Sequence, residues 1–406
     1  MKNSIFNNRD FSLLYASRFI SSVGTKFFTL AIAWWILSSE FENANSLLGI
    51  IMAAIGIGTF GLASFMGTFA DKYDKKVTML VALLGSLIII GIVIAIFPVF
   101  KNIPLLFALF AIFISIFESL FATSLQSSLN YIVKPEILPS AVSAISGITS
   151  FSQAIGAAFV GVTITFIGIV GAFSFNGVCY LIGAVLFCRI ASSLSAKKQN
   201  QCTKSTYWIE FVEGFKYIHK EKELLKLLLL FAFINFWASP IVLALPIITK
   251  EVFQGTALLM SGYEIVLAVG VIVITTVLSY VKCKFNRYKG SFYAIALCGL
   301  SLCGLSLCQY VQASFVFIFL FGVGMGLCNV SMMTLFQTYV PPYIQGRFFS
   351  IVNTVAGVVI PVGYVFVGFL SINIDIMNIM LINGIILGFS SFALLFIPKI
   401  NAEYII

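Results

Sequence analysis

Run after run of about twenty apolar residues, separated by short polar breaks, fills most of this 406-residue chain. No other feature restricts the fold as much. A helix of roughly 20 residues crosses the ~30 Å hydrocarbon core of a bilayer. In lipid every backbone polar group must find its partner within the protein, which leaves helices or a closed barrel. Barrel strands alternate with period two. These runs are apolar at consecutive positions and read as helices. Twelve spans are expected, over residues 10–38, 46–70, 76–98, 104–130, 139–166, 168–192, 224–249, 256–281, 290–310, 312–336, 345–370 and 376–397. The first is too long for a signal-peptide core and no small-residue cleavage site follows it, so it is expected to be retained. The expected fold class is an all-α membrane protein, with the lipid bilayer as its solvent.

Composition agrees. The chain is 60% hydrophobic and 10% charged, where a soluble domain has about 45–50% apolar and about 25% charged residues. The net charge of +9 does not imply a nucleic-acid partner, because twenty of the 24 lysines and arginines fall on one side of the twelve-span topology. That bias places both termini in the cytoplasm of a cell whose plasma membrane the chain crosses. The eight cysteines contain no CxxC pair and the single histidine, His219, has no ligand nearby, so no metal is expected. Cys298, Cys303 and Cys308 read as small packing residues. Trp34 and Trp35, near the outer end of the first span, read as part of an interfacial aromatic belt. No GxxxxGK[ST] phosphate loop occurs, so neither ATP nor another cofactor is expected.

Residues 193–223 interrupt the apolar pattern. A polar run, SAKKQNQCTKS (195–205), is followed by Trp208, Phe211, Val212, Phe215 and Ile218 at helical spacing, the pattern of a helix lying on the membrane surface. The expected organisation is therefore a six-helix bundle over 1–192, a cytoplasmic linker with an amphipathic helix over 193–223, and a second bundle over 224–406. The halves repeat. Shifted by 207 residues, Val133 meets Val340, Pro135 meets Pro342, Ser143 meets Ser350, Gly156 meets Gly363 and Gly161 meets Gly368. Paired six-helix repeats place a transport site between halves.

Four ionisable residues fall well inside spans: Arg18 and Lys26 in the first, Glu118 in the fourth and Glu264 in the eighth. Each costs roughly 2.5–3.5 kcal/mol at the centre of a helix in lipid. They are expected to face one another, water or substrate. At 100° per residue, Ser21, Ser22, Thr25, Lys26 and Thr29 lie within about 80° of Arg18, one polar stripe. Glu118 heads a similar stripe of Ser115, Ser119, Ala122 and Gln126. Burial disfavours a charged carboxylate and a nearby cation favours it. Glu118 and Glu264 are thus the candidates for gaining and losing a proton, and the alternative for each is a static ion pair. Arg18 and Lys26 suit a substrate with an anionic portion. Gln126, Gln153, Asn176, Asn235, Asn329, Gln337 and Asn353 are candidates for hydrogen-bonding substrate, or else inter-helix contacts. Trp237, beside Asn235 and Pro240, is the aromatic candidate for touching ligand.

The stretch GTFADKYDKK (67–76) gathers five charges into ten residues between the second and third spans. Lysines alone hold a loop inside, but that does not explain Asp71, Asp74 or Gly67. A glycine permits a tight turn. A carboxylate at such a turn accepts from the exposed N–H groups of a helix N-terminus, a contact able to form in one conformation and break in another. This stretch resembles the signature loop of the major facilitator superfamily, with Gly67, Asp71, Lys72, Lys75 and Lys76 in place and Asp74 where the family has a second glycine. That variant is similar to the macrolide-efflux and enterobactin-export branch of its drug:proton antiporters. NRDFSLLYASRFIS (8–21) resembles the branch's first helix, and VPPYIQGR (340–347) its loop before the eleventh.

The resemblance implies the major facilitator fold, alternating access, a monomer, and a cavity lined by helices 1, 4, 7 and 10. Its antiporter motif is partly present: Gly147, Gly156 and Gly161 are in place, but Ala157 stands where the family has proline. These glycines, with Gly363 and Gly368, otherwise serve close helix packing. The second half's copy of the signature, SYVKCKFNRYK (279–289), has no aspartate. The functional expectation is export of an amphipathic small molecule, a macrolide-like drug or a siderophore, against proton influx. A lipid flippase of the same fold and a non-transporting receptor or assembly factor are the alternatives.

Overall fold

The structure, a computed structural model, describes residues 8–39, 41–62, 66, 73–133, 137–191, 215–280, 287–341 and 344–396. Gly67, Asp71 and Lys72 of the signature stretch, and Trp208, Phe211 and Val212 of the expected surface helix, lie outside them. Among the described residues there is no strand, and the expected all-α membrane architecture is borne out.

The helices are α1 (Arg9–Ser38), α2 (Ala44–Gly56, extended by a wide turn over Ile57–Gly61), α3 (Lys75–Phe100) and α4 (Pro104–Ile132). One run, Leu138–Cys188, holds the next two. Its 51 residues would reach about 75 Å if straight, more than twice the hydrocarbon thickness. The run turns back at Gly168, whose φ of 80° and ψ of −177° are open to glycine alone. α5 (138–167) runs parallel to α1, with Arg18 bonded to Thr149 and Phe19 stacked on Phe151. α6 (169–188) runs antiparallel to it, with Ser17 bonded to Gly183 and Phe27 stacked on Phe175.

The second half continues with α7 (Lys222–Ala238, resuming over Ile241–Ile247), α8 (Ala257–Tyr280), α9 (Arg287–Ser306), α10 (Val311–Tyr339), α11 (Gln345–Leu370) and α12 (Ile376–Ser390). α7 breaks at Ser239–Pro240, where proline supplies no N–H. Residues 215–220 are also helical, with Ile218 buried and Phe215 exposed.

Helix starts follow local chemistry. Asn8 caps α1, accepting from Asp10 N and Phe11 N while its amide donates to Ile132 O at the end of α4. Asp74 caps α3, accepting from Lys76 N at 2.8 Å and Val77 N at 3.3 Å. Asp375 caps α12 in the same way. The end of α6 is held from two sides: Lys76 Nζ donates to Ile190 O at 2.6 Å, and Asp10 accepts from Ala191 N. A cation on a helix's last carbonyls also suits its dipole.

The chain forms two compact units, Met1–Gln201 with Gln254–Gly262, and Cys202–Phe253 with Tyr263–Ile406. The repeat governs both in two registers. Arg9 and Lys222 open α1 and α7, and Ala44 and Ala257 open α2 and α8, each pair 213 residues apart. Pro104 and Val311 open α4 and α10, and Leu138 and Gln345 open α5 and α11, each 207 apart. The six-residue difference falls within the third helix of each half, since α3 has 26 residues and α9 has 20.

Equivalent contacts use these registers. Gly156 lies on the Val23 carbonyl and the Lys26 stem of α1, and Gly363 on the Phe236 carbonyl and Ser239 of α7. In the first unit Gly85 of α3 accommodates the Phe117 ring of α4. In the second the large and small partners exchange, with Cys298 of α9 seated on Gly324 of α10. Cys303 of α9 likewise sits on Gly384 of α12, so both thiols act as small packing groups.

Trp34 and Trp35 depart from expectation. Both are buried, and Trp35 packs edge-on against Phe41, Phe97 and Phe107. The indole gains more by filling the junction of α1, α3 and α4 with aromatic area than by lying at the interface. Gly147 departs too. It is exposed and a Cβ there would meet nothing within 4 Å, so among the described residues of its own unit no helix packs on it.

Candidate functional site

The buried charges resolve unequally. In the first unit Arg18 Nη1 stands 2.5 Å from Glu118 Oε1, and the two side chains are only 7% and 14% exposed. Arg18 Nε donates to Thr149 Oγ1 at 3.1 Å, and its guanidinium lies 5.8 Å from the centre of the Phe121 ring. The second carboxylate oxygen, Oε2, is 3.3 Å from Thr25 Oγ1, which is also 3.2 Å from the Tyr180 hydroxyl. Tyr180 is fully buried, with Ser86 of α3 and Asn176 of α6 beside it. One polar cluster thus joins α1, α3, α4, α5 and α6.

Arg18 opens onto a cleft of about 320 Å³ between α1, α4 and α5, with Glu118 one turn of α4 from its lining residue Ala122. Arg18, Gln126, Ser146 and Thr149 supply its polar wall, and Ala122, Leu125, Leu129, Val142 and Ile145 its apolar one. A wall of that composition suits an amphipathic guest. The pairing has a sequence cause: Glu118, Ala122 and Gln126 recur every four residues and share the α4 face turned to α1.

The other predicted site residues lie elsewhere. Lys26 of α1 rests its stem against Gly156. Gln153 is exposed on α5. Asn235 donates to Phe231 O of its own helix. Trp237 joins Phe233, Phe236 and Phe366 in an aromatic group between α7 and α11. Asn329, Gln337 and Asn353 are exposed. Glu264 of α8 is buried, with Tyr364 of α11 within reach of its charge. Gly161 N donates to Ser261 Oγ at 2.9 Å, a contact inside the first compact unit, which includes Gln254–Gly262. Gly368 is buried and its carbonyl accepts from Ser371. Lys75 is buried at the start of α3. An apolar cleft of about 450 Å³ near the end of α11, lined by Phe366, Phe369, Leu370, Asn373 and Ile374, holds none of the charged candidates. Among the described residues no cluster of potential metal ligands occurs.

Sequence reasoning missed Tyr180, Thr149 and Asn383. Asn383 was findable. It stands 207 residues after Asn176, each is followed by glycine, and both are buried with no hydrogen bond to either amide atom.

Residues 14–364 match the sequence profile of the Major Facilitator Superfamily. The chain belongs to that superfamily. Among curated relatives, this major facilitator protein is 22% identical over 393 residues to "Macrolide efflux protein A" of Streptococcus pyogenes, covering 92% of each chain. Its fold matches a mutant form of the nucleoside transporter NupG with a TM-score of 0.74 at 14% identity, covering 97% of this chain and 100% of the other. A D-xylose–proton symporter gives 0.73 at 12% identity, covering 97% and 98%. A bacterial homologue of the lysosomal transporter Spinster gives 0.75 at 11%, covering 98% and 97%. These structures establish the fold. The expected superfamily is thereby borne out, and the protein is a multi-pass membrane transporter by family.

The repeat adds a comparison within the chain. At the positions equivalent to Arg18, Thr25, Glu118, Thr149 and Tyr180, the second half carries Phe231, Ala238, Met325, Ala356 and Leu387. The same helices pack there without the polar cluster.

Proposed function

We propose that this major facilitator protein exports an amphipathic small molecule, macrolide-like in character, in exchange for protons, with Glu118 as the group that binds the proton. The observation that carries this reading is the asymmetry of the repeat. Packing of a six-helix unit does not require Arg18 and Glu118, because the second half packs with Phe231 and Met325 in their places. Buried charge that packing does not need, retained at a cost in lipid, is functional by default.

Exchange requires proton and substrate to exclude one another. A substrate hydroxyl or amide donating to the Glu118 carboxylate meets that requirement, since protonation removes the charged acceptor. An anion on Arg18 does the reverse. It binds best once a proton has released Arg18 from Glu118, so anion and proton would travel together. The expectation of an anionic substrate is therefore replaced by one of a donor-rich amphipathic substrate, its polar edge at Arg18, Gln126 and Glu118 and its apolar body on the opposite wall of the cleft. Kinship to a macrolide efflux protein supports the same choice.

Both termini lie in the cytoplasm, the protein acts as a monomer, and the Asp71 loop steadies one state of the alternating cycle. The test is accumulation of a labelled macrolide in everted vesicles under an imposed pH gradient. Accumulation should vanish when the gradient is collapsed and in Glu118→Gln. Accumulation that survives either change would overturn the reading.

A further inference from the structure

Thr25 has one hydroxyl hydrogen and three oxygens in reach: Ser21 O at 3.1 Å, Tyr180 Oη at 3.2 Å and Glu118 Oε2 at 3.3 Å. Only one is served at a time. With Glu118 charged, the favoured arrangement is a chain in which Tyr180 donates to Thr25 and Thr25 donates to the carboxylate. Each bond polarises the next. That arrangement leaves the side-chain oxygen of Asn176, wholly buried beside Tyr180, without a donor, because Tyr180 has one hydroxyl hydrogen and Thr25 takes it, whereas the Asn176 N–H is free to donate to the Tyr180 oxygen in either state. A buried amide oxygen with no donor is costly. With Glu118 protonated the carboxylate pull is gone. Thr25 then donates to Ser21 O, and the freed Tyr180 hydroxyl turns to the Asn176 side-chain oxygen.

The geometry points to Thr25, Tyr180 and Asn176 as a relay of positioning residues that reads the protonation of Glu118 and passes it from α1 to α6. The inference rests on the reading of Glu118 as the proton-binding group. The groups facing Glu118 are few. α1 presents the Arg18 guanidinium and Thr25, α6 presents Tyr180 through Thr25, α3 presents Ser86 to the same Tyr180, and α5 presents Thr149 bonded to the same Arg18. Arg18 pairs with the carboxylate, and the relay adds a preference on each side of the proton step. Tyr180 supports the carboxylate, whereas Asn176 supports the carboxylic acid. The second half lacks the switch. Asn383 persists there, but the equivalents of Thr25 and Tyr180 are Ala238 and Leu387.

The two ends of the relay therefore predict shifts of opposite sign. The experiment follows the Glu118 carboxyl band by infrared spectroscopy of the full chain in nanodiscs as pH is varied, the band being assigned by its loss in Glu118→Gln. Tyr180→Phe should raise the proton affinity of Glu118 about tenfold, the scale of one hydrogen bond, and Asn176→Leu should lower it by a similar factor. Should Tyr180→Phe fail to fold, Thr25→Val cuts the chain at its middle and should shift the midpoint in the same direction. A purely structural role would alter thermal stability and leave both midpoints in place. Midpoints that stand still or move together, or a wild-type band that never titrates, overturn the relay. If the midpoints separate as expected while transport ignores the pH gradient, the relay stands and the exchange reading falls.

Discussion

Gly156 and Gly363 occupy equivalent places in the two halves and do the same thing. A Cβ on Gly156 would stand 2.9 Å from the Val23 carbonyl oxygen, and a Cβ on Gly363 would stand 2.8 Å from that of Phe236. In each unit the fifth helix reaches the backbone of the first because one side chain is missing.

Gly156→Ala and Gly363→Ala should therefore each lower stability by about 1–3 kcal/mol through overpacking, since the obstruction is backbone rather than a movable side chain. Gly147→Ala is the control. Its Cβ meets nothing, so helix propensity should make it neutral or stabilising by up to about 1 kcal/mol. Thermal unfolding of the purified protein in detergent ranks the three. Equal midpoints would remove the packing argument.

The ion pair allows a sharper test, because the protein contains its own replacement. Arg18→Phe or Glu118→Met alone leaves a buried charge without its partner and should cost about 3–5 kcal/mol. The double variant carries the residues found at Phe231 and Met325 and should recover most of that loss while abolishing proton-linked transport. A double variant as unstable as either single would mean that the pair is needed for folding.

Asp71 and Asp74, three residues apart in the signature stretch, should separate by assay. Asp74 caps α3, and its loss in Asp74→Ala should cost about 1 kcal/mol with the transport rate at saturation preserved. Asp71→Asn should leave the unfolding midpoint in place and slow transport, as expected of a residue that steadies one state of the cycle. The reverse pattern would exchange their assignments.

Gly168 makes the turn between α5 and α6 with a backbone open to glycine alone, and a Cβ there would touch nothing. The cost of Gly168→Ala should thus be backbone strain alone, about 1–3 kcal/mol. Loss of unfolding midpoint relative to Gly147→Ala, also free of contacts, measures it directly. No difference between them would contradict the turn.

How much of this was legible in one dimension depends on the range of the interaction. The α1, α3 and α4 ends fall within two residues of the expected spans, because hydrophobic length and local caps act over a few neighbours. The break near residue 167 was legible for the same reason. The repeat was read at 207 residues, the register of the last three helices of each half. The first two follow 213, and a third helix six residues shorter in the second half keeps that agreement out of a single-offset comparison.

The sequence by itself determined that the chain lives in a membrane as two sets of six helices, and that Arg18, Lys26, Glu118 and Glu264 sit inside them, because apolar length and the expense of charge in lipid are properties of each segment alone. Only the tertiary structure decided that Arg18 takes Glu118, that Thr25 stands between Glu118 and Tyr180, and that Trp35 fills a core rather than an interface. Those outcomes depend on how neighbouring helices are rotated and stacked against one another. Such contacts join residues some hundred positions apart, and no local pattern in either helix records the partner.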